Sequence, residues 1–253
     1  MIINTPDASH IPALRRLWKQ AFGDTDAFLD SFFSIAFSPE RCRCAFADGE
    51  PVAALYWFDC RLQDRKLAYL YAVATHKDFQ NRGFCRALME NTHAHLRKQD
   101  YDAAILVPFG QSLFRFYEKL GYRTATHIRE FSCAAGNTPA TLQPLDGEKY
   151  AALRREYLPH GGVRQEGAAL ALLQDQARFY AGDGFLLIAA WENGDLRLPE
   201  FLGDTAFLPG AIAALDATAA TVRTPGTGKP FSMFLPLSDA LQPFPAYFGL
   251  ALD

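Results

Sequence analysis

Val73-Ala-Thr-His-Lys-Asp-Phe-Gln-Asn-Arg-Gly-Phe-Cys-Arg-Ala-Leu-Met89 is the stretch that decides the fold. It continues an almost wholly apolar run, Leu67-Ala-Tyr-Leu-Tyr-Ala-Val73, of the kind that forms a strand buried on both faces. The polar segment Thr75–Asn81 ends the run, and a helical period takes over from about Arg82 to Lys98. A buried strand, a short turn and a helix start leave unpaired backbone N–H groups at the positive end of a helix dipole. Such a junction is an anion site suited to a phosphate or pyrophosphate. Gly83 lets the backbone approach a ligand closely, and Arg82 and Arg86 add positive charge.

Upstream, Met1–Asn4 reads as a short strand. A helix follows, with Ser9 as its cap, Pro12 in its first turn, Ile11, Leu14, Trp18 and Phe22 on one face, and Gly23 at its end. A second helix starts near Thr25 and carries Phe28, Phe32 and Ile35 to a stop at Pro39. Cys42–Ala47 and Pro51–Asp59 read as strands around the hairpin signal Asp48-Gly49, and the apolar run is the third strand. Downstream, Ala103–Val107 reads as a buried strand joined in parallel to Leu67–Val73 through the helix between them. Gln111–Leu120 is an amphipathic helix ended by Gly121, and Tyr122–Cys133 is strand-forming. The order is that of an α/β unit, and Ala134–Pro139 has the composition of a linker.

Beyond it, Glu148–Tyr157, Gln165–Tyr180 and Pro209–Thr218 read as helices. Phe185–Trp191, Asp195–Phe201, Ala220–Arg223, Phe231–Leu235 and Tyr247–Leu252 read as strands, the first two around Asn193-Gly194. This echoes the first half without a residue-level repeat. The expected organisation is therefore two domains, residues 1–135 and 140–253.

Two motifs carry a family resemblance. Gln80, Gly83 and Cys85 resemble the Gln/Arg-x-x-Gly-x-Gly/Ala signature of the GNAT acetyltransferase superfamily, and Ala74-Thr-His76 with Asp78-Phe79 resembles its lead-in. Leu113-Phe-Arg-Phe-Tyr-Glu-Lys-Leu-Gly-Tyr122 is similar to a second motif of that superfamily, which closes the coenzyme site. The resemblance implies a GNAT fold, a mixed and mostly antiparallel sheet flanked by helices. A GNAT unit followed by a degenerate GNAT-like α/β domain resembles the first two domains of the enhanced-intracellular-survival (Eis) type of acetyltransferases. It further implies acetyl-CoA as cosubstrate, held by Val73, Ala74, Thr75, Gln80, Asn81, Arg82, Gly83, Phe84, Cys85, Arg86 and Ser112. Tyr117 is implied as the acid that protonates the leaving thiolate. Two positions depart from the pattern: Cys85 replaces a final Gly or Ala, and Gly110 stands where an Asn is common. In the Eis relatives a terminal carboxylate helps deprotonate the acceptor, which directs attention to Asp253; Asp59 and Glu130 are the other candidate bases.

The implied activity is N-acetyl transfer to a primary amine, with a small molecule as acceptor, by direct attack in a ternary complex. The alternatives are a peptide or protein amine as acceptor, and a non-catalytic acyl-CoA-binding or regulatory module. Composition narrows the rest. With 25 basic and 28 acidic residues the net charge is −3, without the basic excess of a nucleic-acid binder. Five cysteines without a Cys-x-x-Cys pair argue against a disulfide framework and a zinc site, so no metal is expected. His76, His93 and His95 form no ligand cluster, and Gly226-Thr-Gly228-Lys229 lacks the spacing of a phosphate loop. No apolar run approaches a membrane span and the N-terminus lacks a signal-peptide pattern, so a cytoplasmic protein without a membrane partner is expected, with self-association left open.

Overall fold

The computed structural model describes residues 1–238 and 244–252, and these fall into two compact units. The first comprises residues 1–60, 65–123 and 234–238; the second comprises 61–64, 124–233 and 244–252.

In the first unit, β1 (Ile2–Asn4) is followed by α1 (Ile11–Phe22) and α2 (Asp26–Ser31). The expected Ser9 cap of α1 does not form: His10 is the N-cap of α1, without a side-chain bond, and Asp7 caps the short 3-10 turn over Ala8–His10 that precedes it. The Asp7 carboxylate accepts from the Ser9 N–H at 2.8 Å, so Ser9 is the donor. Gly23 ends α1 at φ 77°, and Thr25 caps α2 by accepting from the Phe28 N–H. The second helix does not run unbroken towards Pro39; it passes into a π-helical turn over Phe32–Ala36. Strands β2 (Cys42–Ala47), β3 (Glu50–Leu62) and β4 (Arg65–Thr75) follow, then α3 (Phe84–Lys98), β5 (Ala103–Leu106) and α4 (Gln111–Glu118). The sheet order is β1-β2-β3-β4-β5; β1–β2 and β2–β3 are antiparallel, and β4–β5 is parallel as the sequence predicts. Asp48 and Gly49 take positive φ in the hairpin turn between β2 and β3.

The second unit repeats the alternation. Its elements are β6 (Arg123–Ala134), β7 (Gln143–Leu145), α5 (Gly147–Tyr157), β8 (Arg164–Gln165), α6 (Ala168–Gln176), β9 (Arg178–Gly182), β10 (Phe185–Glu192), β11 (Asp195–Gly203), α7 (Leu208–Ala213), β12 (Ala219–Pro225) and β13 (Lys229–Pro236), of which the last three residues count with the first unit. Pairing runs β6-β12-β11-β10-β9-β7, with β11–β12 parallel and the other pairs antiparallel. Phe185, Leu187, Leu198, Phe201, Leu208, Ile212 and Val222 form the core between this sheet and α7.

Two sequence expectations fail here. The helix expected over Gln165–Tyr180 stops at Gln176, because Ala177 is extended and the chain turns into β9. The strand expected over Tyr247–Leu252 is not formed by residues 244–252; Tyr247 makes one isolated bridge to Gly162. Polar side chains hold this segment instead. The Gln165 amide donates to the Leu250 carbonyl and accepts from the Leu250 N–H. Glu200, fully buried, forms a bidentate ion pair with Arg154 and accepts from the Tyr150 and Tyr247 hydroxyls at 2.7 and 3.0 Å. A buried carboxylate is tolerable only when its charge and lone pairs are satisfied in this way.

Candidate active site

Strand β4 pairs with β5 only at Leu67–Tyr69, opposite Ala103–Ile105. The strand then continues to Thr75, so six residues run past the end of that ladder. Ala72 takes φ 49° in mid-strand, and an L-residue in the left-handed region marks a break in the regular pleat. Leu67 to Leu70 are buried, whereas Tyr71, Ala72 and Val73 are half-buried. An extended ligand with amide groups can complete an edge of this kind through backbone hydrogen bonds.

The edge leads into the turn. His76 caps a 3-10 turn over Lys77–Phe79, its Nδ1 accepting from the Asp78 N–H, and its own N–H donates to the Val52 carbonyl at 2.8 Å. The Gln80 side chain donates back to the Thr75 carbonyl at 3.2 Å, which ties the turn to the strand end. Asn81 and Gly83 take φ 58° and 83°. Gly83 is the N-cap of α3 without a side-chain cap, and nothing lies within 4 Å of where a Cβ would stand. The first helical backbone bond is from the Ala87 N–H to the Gly83 carbonyl at 3.0 Å. The N–H groups of Phe84, Cys85 and Arg86 therefore have no intrahelical acceptor. Phe79 packs edge-on against Phe84, 5.2 Å between centroids, and fixes the entry angle.

The two arginines behave differently. The Arg82 guanidinium lies over the Phe79 ring and donates to the Asp78 carbonyl, so it stiffens the turn. Arg86 is exposed and faces Glu90 one turn on, at 3.6 Å. Cys85 fits beneath the turn: burial pushes its thiol up to about 11, and the nearby Thr75 hydroxyl pulls the other way without the geometry of a full hydrogen bond. Thr75 Oγ1 is left buried with no partner, a polar atom aimed at the junction of strand and helix.

Tyr117 comes from α4. It is buried, with its ring against Phe116 at 5.2 Å and Tyr122 at 5.7 Å. Burial raises its pKa well above the usual phenol range, and a negative charge on Cys85 would raise it further, which places the two motifs side by side. The phenol thus keeps its proton across all ordinary pH. Behind it, the Tyr122 hydroxyl lies 2.8 Å from Nε2 of the buried His93, a pair that sequence reading passed over. Burial first, and Arg97 second, lower His93 to about 4. His93 is therefore neutral, and its Nε2 shares a hydrogen bond with the Tyr122 hydroxyl whose direction is set by the tautomer.

Ser112 is exposed in the first turn of α4, which Gly110 opens at φ 86° without a side-chain cap. The candidate bases are engaged elsewhere. Asp59 is paired to Arg41 at 2.9 Å and accepts from the Tyr101 hydroxyl. Glu130, in the second unit, is paired to Arg223 and Lys229. Asp253 lies outside the described residues. Among the described residues no group of three or more His, Cys, Asp or Glu side chains could hold a metal, and no helix is long and apolar enough to cross a membrane.

Comparison with known proteins bears on the fold. Residues 3–125 match the family model of the acetyltransferase (GNAT) domain. No curated protein matches the chain. Among solved structures, a GCN5-related N-acetyltransferase from Anabaena variabilis superposes with a TM-score of 0.74 at 16% identity, over 94% of this chain and 73% of that one. Eis1 from Mycobacterium abscessus gives 0.69 at 13% identity, over 94% and 74%. A putative acetyltransferase from Pyrococcus horikoshii gives 0.63 at 15% identity, over 98% and 93%. At these identities the likeness is one of fold, and it extends across both units.

Proposed function

We propose that the chain, whose residues 3–125 match the GNAT acetyltransferase domain, is an acyltransferase that moves the acetyl group of acetyl-CoA to the primary amine of a small molecule. The observation that carries the proposal is that β4 runs six residues past its ladder with β5 and leads, through a short turn, to the N–H groups at the start of α3 that have no intrahelical acceptor. That edge suits the amide-bearing pantetheine arm, with Val73, Ala74 and Thr75 supplying backbone partners. The turn from Gln80 to Arg86 suits a pyrophosphate, since its N–H groups and the helix dipole both favour negative charge. Ser112 is placed on the rim by the same reading.

Acetyl-CoA supplies an activated thioester. The amine, as its free base, forms the new C–N bond while the C–S bond breaks. The developing oxyanion takes hydrogen bonds from backbone N–H groups near Ala72, where β4 leaves its regular pleat. Tyr117 gives its proton to the departing thiolate, and the amine gives up a proton to water. A phenol whose pKa is raised by burial is protonated and ready for that step.

Amine-dependent release of thiol from acetyl-CoA tests the proposal. Tyr117→Phe is expected to lower turnover while leaving acetyl-CoA affinity nearly intact. Equal turnover in the variant would remove Tyr117 from the chemistry. Binding without turnover on any amine would favour the non-catalytic alternative.

A further inference from the structure

We infer that the cleft between α1, the β2–β3 hairpin and the turn before α3 binds a small zwitterion with an apolar body, of the class of an α-amino acid, and that its occupancy tightens coenzyme binding at that turn. The binding site stands on the cleft alone; the link to the coenzyme rests on the proposed function.

The cleft has a volume of about 550 Å³. That is the size of a small-ligand pocket, about 300–1,000 Å³. Its floor is apolar and buried, formed by Leu17 of α1 with Pro51 and Val52 of β3. Its rim is charged. Arg16 and Glu50 face each other at 3.6 Å, both largely exposed. An ion pair so open to water is weak and yields readily to a ligand's own charges. Asp48, exposed at the hairpin tip, pairs with no cation among the described residues.

The charges choose the ligand. A simple anion would meet Asp48 and Glu50, and a simple cation would meet Arg16. A zwitterion matches both signs: its carboxylate suits the planar fork of Arg16, and its ammonium suits the two carboxylates. An uncharged side chain then covers the apolar floor. The occupant is not the acceptor. His76, on the wall of the cleft, lies four extended residues beyond Ala72, about 13 Å of chain, so an amine held at Asp48 does not reach the thioester.

The inner wall is shared with the coenzyme turn. Phe79 lines the cleft, packs against Phe84 at the start of α3, and lies under the Arg82 guanidinium. Gln20, also on the wall, accepts from the Lys77 N–H at 3.1 Å, and its amide nitrogen lies 3.4 Å from His76 Nε2. Residues of the cleft thus pin α1 to the 3-10 turn that leads to Gly83. An occupant seated against them restricts the turn before the coenzyme arrives. Less ordering is then left for the coenzyme to impose, which is positive cooperativity without a new contact.

Calorimetric titration of the full chain with L-phenylalanine, alone and then with CoA bound, tests both parts; CoA carries no acetyl group, so no turnover intrudes. The expected result is one-to-one binding, weakened about tenfold or more in Arg16→Gln and in Asp48→Asn, with the CoA affinity of each variant unchanged in the absence of phenylalanine. Asparagine keeps the left-handed backbone at Asp48, φ 51°. Phenethylamine and phenylacetate, each lacking one charge, should bind about tenfold or more weakly than phenylalanine. Saturating phenylalanine should raise wild-type CoA affinity about fivefold or more, and CoA should raise phenylalanine affinity by the same factor. No binding of phenylalanine, binding indifferent to both substitutions, or equal binding of phenethylamine overturns the site. Phenylalanine binding that leaves CoA affinity unchanged overturns the link. Failure to bind CoA overturns the proposed function and the link with it, while the titration with phenylalanine alone still decides the site.

Discussion

Replacing His93 by glutamine should flatten the acid side of the stability curve. The imidazole is 5% exposed and its pKa falls from 6.5 to about 4, through burial first and Arg97 second. In the unfolded chain the same group protonates near its ordinary value. The folded state therefore binds the proton less readily, and the contribution of His93 is fully present above about pH 6.5 and lost as pH falls through about 4. The whole gap is worth roughly 3 kcal/mol, of which about 2 kcal/mol is already gone at pH 5. Glutamine does not titrate, and its carbonyl can still accept from the Tyr122 hydroxyl. Urea unfolding followed by tryptophan fluorescence at pH 7 and pH 5 reads the difference. Wild type should lose about 2 kcal/mol more than His93→Gln between the two conditions. PH slopes that agree within about 0.5 kcal/mol would refute the placement of a neutral, buried imidazole behind Tyr117.

Two other outcomes follow from the same geometry. Tyr117→Phe should reduce kcat by roughly a hundredfold or more, the range of a lost general acid, with acetyl-CoA affinity unchanged by calorimetry. Glu200→Gln should strand Arg154 as a buried, uncompensated charge and cost about 3–5 kcal/mol, read as a drop in Tm of roughly 6–20 °C; a loss below about 1 kcal/mol would show that the network is not the lock of the C-terminal segment.

What the sequence could and could not disclose follows from how each feature is encoded. The strand, turn and helix around Gly83 were legible because an apolar run, a polar break and a helical period are local signals, and the family motif lies on them. The parallel pairing of β4 with β5 followed from the helix between them. The positive φ in β4 was not legible: Ala72 carries no preference for it, so only the structure could place the break. Strand β9 was read as helix because Phe179 and Tyr180 continue the apolar spacing of α6, and tertiary pairing with β10 overrides it. Tyr247–Leu252 reads as a strand because the run is apolar, yet its partners are the side chains of Glu200 and Gln165, dozens of residues away. Separation along the chain likewise hid His93 from Tyr122, 29 residues apart.

Calorimetric titration with acetyl-CoA of the wild type beside Gly83→Glu tests the central claim most directly. Space for the new side chain is open, so packing does not oppose the variant, although its left-handed backbone costs about 1–2 kcal/mol of stability. A carboxylate about 5 Å from a bound phosphate would repel it by roughly 3 kcal/mol, or about a hundredfold in affinity. The account predicts one-to-one micromolar binding by the wild type, abolished or weakened by that factor in a variant that still folds. Equal binding by both proteins, or none by the wild type, would contradict it.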